Sequence, residues 1–242
     1  MNFYDKLSLV YDKVFPENPQ IIKFLEETMN KVKGENFLDV ACGTGTYGIA
    51  LCEKGYRGFS MDLEETMINI GKEKSKNINS LTLKSMDMRD IKNEFKKHSF
   101  SMVYCIGNSL VHLNSLEEIE KTIGDFYKIM NHKGALVIQI INYDRILSKN
   151  IKSLPTIENE EITFVRNYNF NKEDNKIYFD TELRVSSETS VYTGLTPLLP
   201  LTYDNLISIL EKYNFSKIES FGDFKGSKYD KDSYSLIIRA YN

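Results

Sequence analysis

The alternation of apolar and polar positions divides this chain into two regimes. Between residues 34 and 142, short apolar runs alternate with segments whose apolar residues recur every three or four positions. "NFLDVA", "YRGFSMD", "LTLKSMD", "FSMVYCIG" and "GALVIQII" read as strands. Segments such as "YGIALCEKG", "EETMINIGKEKSKN" and "LEEIEKTIGDFYKIM" read as helices between them, with a polar linker between the third and fourth strands. Near-continuous apolar strands alternating with helices predict a parallel sheet covered on both faces. Ahead of it, Asn18 and Pro19 open a helix whose stripe is Ile21, Ile22, Leu25, Met29 and Val32, with Gly34 as its stop. Ser115 with Glu118 predicts a capping box on the helix before the fifth strand.

After residue 150 the period changes to two. "EITFVRNYNFN", "KIYFDTELRVS" and "TSVYTGLT" predict an antiparallel meander. The helix "TYDNLISILEKYN" follows, and "FSKIESFGDF" with "SYSLIIRAYN" predict a closing hairpin. The expected organisation is an N-terminal lid and helix (1–33), a cofactor-binding core (34–148), an antiparallel insertion serving as a substrate lid (149–200), and a last helix with its hairpin (201–242).

Composition narrows the function little. With 242 residues, 41% hydrophobic and 27% charged, the chain is an ordinary globular one, and a net charge of −3 argues against nucleic acid or a membrane surface as partner. No apolar run approaches bilayer length, and the start of the chain has no basic region followed by an apolar one. Three cysteines, Cys42, Cys52 and Cys105, lack framework spacing and are expected as reduced thiols in a cytoplasmic protein.

The candidate chemistry lies at the strand ends. Gly43, Gly45 and Gly48 fit G-x-G-x-x-G directly after the first strand, which lets backbone approach a ligand at a helix start. Asp62 ends the second strand, where its carboxylate can accept both hydroxyls of a ribose or simply cap the next helix. Asp87 ends the third strand, where it can take an exocyclic amino group or sit in a solvated loop. Met61, Met67, Met86 and Met88 are core filler or the walls of a ring site. In this order the three features predict an adenosine-containing cofactor.

The motifs "LDVACGTG", "MD" at 61–62, "SMDMRD" and "VYCIGNSLVHL" resemble those of class I S-adenosylmethionine-dependent methyltransferases. The resemblance implies a Rossmann-like seven-stranded sheet with a C-terminal antiparallel hairpin and S-adenosylmethionine as cofactor. It implies that Asp39 holds the ammonium of the cofactor's methionine part. It also draws Tyr4, Ala41, Cys42, Gly43, Gly45, Asp62, Leu63, Met67, Asp87, Met88, Ile106 and Gly107 to the cofactor. "CIGNSLVHL", "INYDRIL" and "FGDFK" are similar to the glycine and sarcosine N-methyltransferase branch, and "YDKLSLVYDKVF" is similar to a tyrosine-bearing lid. By that likeness Tyr4 and Tyr11 border the site, Asn108 and His112 face the transferring methyl, and Tyr143 lies at the acceptor. His112 and the tyrosines are the candidate proton acceptors or hydrogen-bond partners, so that His112, Asn108 and Tyr11 are the catalytic candidates.

That branch carries an arginine before "NYD" that grips a substrate carboxylate, and here the position is Ile141. Glycine and sarcosine are therefore expected to be poor acceptors, and a bulkier, less anionic small-molecule amine a better one. Arg166 shares a face with Ile162, Phe164, Tyr168 and Phe170, which suits a guanidinium that meets an anion or aromatic rings, or one that snorkels to an edge. No His, Asp and Glu cluster has metal-ligand spacing. A non-catalytic cofactor-binding module and an NAD-dependent oxidoreductase are the competing readings.

Overall fold

The structure is a computed structural model that describes residues 3–242, and the side chain of Tyr4 lies outside the described residues, with the expectation placed on it. An N-terminal helix α1 (Phe3–Val14) precedes α2 (Pro19–Val32). The core then runs β1 (Asn36–Val40), α3 (Thr46–Glu53), β2 (Arg57–Asp62), α4 (Glu65–Lys74) and β3 (Leu81–Ser85). It continues through α5 (Ile91–Glu94), β4 (Phe100–Cys105), α6 (Leu116–Ile129), β5 (Met130–Ile141) and α7 (Tyr143–Ser148). A second sheet follows as β6 (Ser153–Glu158), β7 (Ile162–Asn171), β8 (Lys176–Val185) and β9 (Val191–Leu198). The chain ends with α8 (Tyr203–Lys212), β10 (Lys217–Phe221) and β11 (Ser235–Tyr241).

The first sheet has seven strands in the order β10-β11-β5-β4-β1-β2-β3. β1 to β5 are parallel, and β11 runs antiparallel between β5 and β10. The chain moves outward from β1 through β2 to β3, then crosses back to β4 on the other side. That reversal opens a crevice at the carboxyl ends of β1 and β4, the place where open α/β sheets bind ligands. The strands are apolar because helices cover both faces: Leu38, Val103, Leu136 and Ile138 are all fully buried.

Several local expectations change in detail. The stop of α2 falls at Lys33, which takes the left-handed conformation (φ +50°), while the Gly34 N–H donates to the Met29 carbonyl. Gly34 is needed for space instead, since a Cβ there would stand 2.4 Å from Ser101 Cβ. Ser115 caps α6 as expected, but the Glu118 carboxylate reaches back to the N–H of Asn114 rather than of Ser115 (2.9 Å). The linker before β4 holds a 3-10 turn and α5, and the insertion has four strands rather than three. The additional strand, β6, carries Pro155 at an irregularity between Leu154 and Ile157, the kind of edge position where proline is tolerated.

The second sheet packs one face against α1 and the core. Near one end, Phe164, Ile162 and Leu183 pack against Leu7, Val10 and Val14 of α1. Near the other, Tyr168, Ile177 and Leu198 join the core cluster of Tyr143 and Ile146. Ion pairs Lys6–Glu188 and Lys13–Glu161 tie the two ends of α1 to this sheet. No helix among the described residues is long and apolar enough to cross a membrane.

Candidate active site

The loop after β1 turns through three left-handed residues, Ala41 (φ +58°), Gly43 (φ +56°) and Gly45 (φ +74°). A left-handed alanine costs about 1–2 kcal/mol, and such strain is characteristic of ligand clamps. Gly43 has a second constraint: a Cβ there would stand 2.8 Å from Cε1 of Tyr11, whose ring covers the loop from α1. Gly48 serves packing instead, because a Cβ would meet Ser60 Oγ at 2.3 Å.

Three carboxylates surround this loop in different states. Asp62 accepts the N–H of Gly43 at Oδ2 (2.8 Å) and of Glu64 at Oδ1 (3.0 Å). Each oxygen keeps a lone pair for a further donor. Burial raises its pKa. Asp87 caps the following 3-10 turn and pairs with Arg89 through Nε (3.0 Å) and Nη2 (2.6 Å), which lowers its pKa. Asp39 is buried in the middle of the sheet, level with Ser60 on β2 and Tyr104 on β4. Its Oδ2, Ser60 Oγ and Tyr104 Oη are buried without hydrogen-bond partners. Burial pushes the Asp39 pKa up to about 8.

Two cavities meet at Tyr11 and Ala41. The first, about 420 Å³, has Asp62, Leu63, Met67, Asp87 and Met88 on its walls, with Ser109 and His112 at its far side. Leu63 is 62% exposed, an apolar side chain held open to the cavity. The carboxylate pair, thioethers and leucine suit a nucleoside. The second, about 360 Å³, is lined by Asp39, Cys42, Tyr47, Ile106, Gly107 and Gln139. An orphaned carboxylate oxygen at its base suits a cationic amino group on a short tail.

His112 stands on the 3-10 turn Leu110–His112 with its ring exposed to the first cavity. Desolvation lowers its pKa, so the imidazole is neutral at neutral pH and can accept a proton. Asn108 is placed differently from the expectation. Its backbone is left-handed (φ +69°), and its side chain accepts the Ile141 N–H (2.9 Å) and donates to the Tyr143 hydroxyl (3.0 Å). It clamps the ends of β4 and β5 together. Tyr143 is fully buried and lines neither cavity. Arg166 lies on the inner face of the second sheet and lines neither cavity. Sequence reasoning missed Gln139, whose Oε1 accepts the Gly107 N–H (2.7 Å), and Arg89. A polar residue inside the apolar run "ALVIQII" was the available signal for Gln139.

A seven-stranded sheet of this order has the fold of class I S-adenosylmethionine-dependent methyltransferases. Residues 37–134 match the family model described as a methyltransferase domain. A glycine/sarcosine N-methyltransferase of Aphanothece halophytica is 28% identical over 218 residues, 87% of this chain and 77% of that protein. Among solved structures, an S-adenosylmethionine-dependent methyltransferase from Clostridium acetobutylicum has a TM-score of 0.81 at 16% identity, covering 99% of both chains. The sugar N-methyltransferase KedS8 from Streptoalloteichus has a TM-score of 0.71 at 16% identity, covering 99% of this chain and 92% of that one. The chain carries a methyltransferase domain and is similar in sequence to glycine/sarcosine N-methyltransferases.

Proposed function

We propose that this enzyme methylates the nitrogen of a small-molecule amine in a reducing compartment, the cytoplasm. The compartment rests on Cys42, Cys52 and Cys105, all free thiols. The observation that carries the reaction is His112, a neutral, unpartnered imidazole facing the nucleoside cavity. S-adenosylmethionine supplies an activated methyl on a sulfonium. Asp39 would hold its ammonium, Asp62 its ribose hydroxyls and Asp87 its adenine amino group. Tyr11, between the two cavities, covers the junction and excludes water. His112 would take the proton that the amine nitrogen gives up as it accepts the methyl.

Nitrogen is favoured because the relative from Aphanothece halophytica is named for methylating glycine and sarcosine. Ile141, buried where that branch has its arginine, supports an acceptor larger than glycine. In this reading the lid (1–33) and the insertion (149–200) roof the core (34–148), and 201–242 completes its sheet.

Transfer of a labelled methyl from S-adenosylmethionine to a panel of amines, amino acids and phenols tests this. Label is expected on amine nitrogen, and His112→Asn should slow it by about a hundredfold, the lower range of general-base effects. The rate should fall on the acid side only below the ordinary imidazole pKa, because protonation silences a base whose pKa is lowered. Label on phenol oxygen alone would replace nitrogen with oxygen. Binding of NADH without S-adenosylmethionine would overturn the whole assignment.

A further inference from the structure

Three polar side chains stand in a row across the middle of the first sheet. Asp39 on β1 pairs in register with Ser60 on β2 and with Tyr104 on β4, and Val137 on β5 ends the row. All three are buried, Ser60 and Tyr104 completely. Asp39 Oδ2, Ser60 Oγ and Tyr104 Oη each lack a hydrogen-bond partner. The surroundings are apolar: the Tyr104 ring packs against Phe37 at 5.8 Å, in a cluster with Leu25, Leu51 and Met102. Unsatisfied polar atoms in such a place cost free energy, and here three are gathered at one point.

The three groups share one small space. A Cβ at Gly48, on α3, would stand 2.3 Å from Ser60 Oγ and 3.5 Å from Asp39 Oδ2. The Tyr104 and Ser60 hydroxyls both act on the carboxylate to lower its pKa, against the larger, raising effect of burial. Of the three, Asp39 alone lines a cavity. Seen from the tail cavity, the hydroxyls therefore lie behind the acid.

What the hydroxyls can do depends on the charge in front of them. A neutral carboxyl group brings a donor of its own, whereas a carboxylate is acceptor-only and takes O–H donors from both sides. Bonds to the charged form are the stronger ones. Burial holds the Tyr104 phenol protonated, so it stays a donor. The other titratable groups around Asp39 offer no positive charge: Asp62 from β2, Cys42 from the glycine loop, Cys105 from β4, Tyr47 from α3 and Tyr11 from α1. Among the described residues, the two hydroxyls are thus what supports a charge on Asp39 until a cationic ligand arrives.

We infer that Tyr104 and Ser60 are positioning residues, which donate to the Asp39 carboxylate from behind and make it ready for the cofactor's ammonium. This rests on the reading that Asp39 holds that ammonium. The proton that Asp39 gives up leaves to solvent through the tail cavity.

Tyr104→Phe keeps the ring and removes the hydroxyl, and Ser60→Ala removes the other. In protein labelled with 13C at its aspartate carboxyls, with Asp39→Asn identifying the signal, NMR follows the titration of Asp39 in the free enzyme. Its midpoint should rise by about one pH unit in Tyr104→Phe and by less in Ser60→Ala. Calorimetry with S-adenosylhomocysteine from pH 6 to 9 gives the second readout. From a parent midpoint of about 8, Tyr104→Phe should weaken binding about tenfold at pH 7 but only about twofold at pH 9. In an Asp39→Asn background the same change should add nothing. An Asp39 midpoint that moves in neither variant would overturn the inference, as would a loss of affinity equal at every pH, the mark of disturbed packing. A midpoint that moves while affinity does not follow it would uphold the hydroxyls' action on Asp39 and fault the ammonium reading alone.

Discussion

The floor and the roof of the crevice are held in different ways. In the floor, backbone fixes the cavity-lining acids: Gly43 and Glu64 N–H groups orient Asp62, the Arg89 N–H orients Asp87, and sheet register sets Asp39. In the roof, α1 meets the second sheet through the side-chain pairs Lys6–Glu188 and Lys13–Glu161 around a small apolar cluster, and meets α4 through Asp12–Lys74. Backbone bonds inside a buried sheet open only with the sheet, whereas part-exposed ion pairs contribute about 0–1 kcal/mol each. The floor is therefore held by the more rigid contacts and the roof by the weaker ones.

The comparison is broken most directly at Asp62. Asp62→Ala strips the Gly43 N–H of its acceptor and, on the proposed function, removes the ribose partner. S-adenosylmethionine and S-adenosylhomocysteine should both bind about 1–3 kcal/mol more weakly, roughly ten- to a hundredfold. Calorimetry on the folded variant gives the answer, and an unchanged Kd would take Asp62 out of the ribose role and leave the floor without its strongest contact.

Which parts of this were legible in the sequence follows the same division. Strands β1 to β5 announce themselves by apolar runs broken at glycines, and acids that end such runs must reach the crevice. Asp62, Asp87, Leu63 and Met67 accordingly share one cavity wall. Asn108 and Tyr143 could not be oriented that way, because φ +69° at Asn108 turns its side chain toward β5 instead of the crevice. β6 was hidden by Pro155 and its irregular register. Arg166 was visible as an anomaly on an apolar face, but its orphaned Nε emerges only when two clusters are folded on either side of it.

A second, smaller effect sharpens the account of the floor. A carboxylate with a pKa of about 8 in the free enzyme is protonated at neutral pH, and holding an ammonium requires it to ionise. Cofactor affinity should therefore rise with pH up to about 8 and level off above, by at most about 1.4 kcal/mol per unit. Folding of the free enzyme has the opposite sign. The fold binds a proton that the unfolded chain releases near pH 4, so this contribution is present at low pH and lost as pH rises toward 8. Asp39→Asn should flatten both profiles. Affinity that stays independent of pH from 6 to 8 in the unaltered protein would show that Asp39 does not meet the ammonium.

The smallest effect belongs to the roof. Lys74 joins Asp12 at 2.7 Å and also donates to Thr44 and Thr46 (2.9 Å each), while Thr44 donates to Asp12 at 2.5 Å. This knot fastens α1 to the glycine loop and to α4. Both charged side chains are substantially exposed, so Lys74→Met should cost no more than about 1 kcal/mol, less than roughly fivefold in cofactor Kd. The change should fall on the rate of cofactor release, because the contact holds α1 against the glycine loop. Hydrogen exchange across 3–14 should quicken, while amides of β1 and β4 keep their protection. A hundredfold loss of affinity in Lys74→Met would reverse the comparison, making the latched roof rather than the backbone-held floor the seat of cofactor binding.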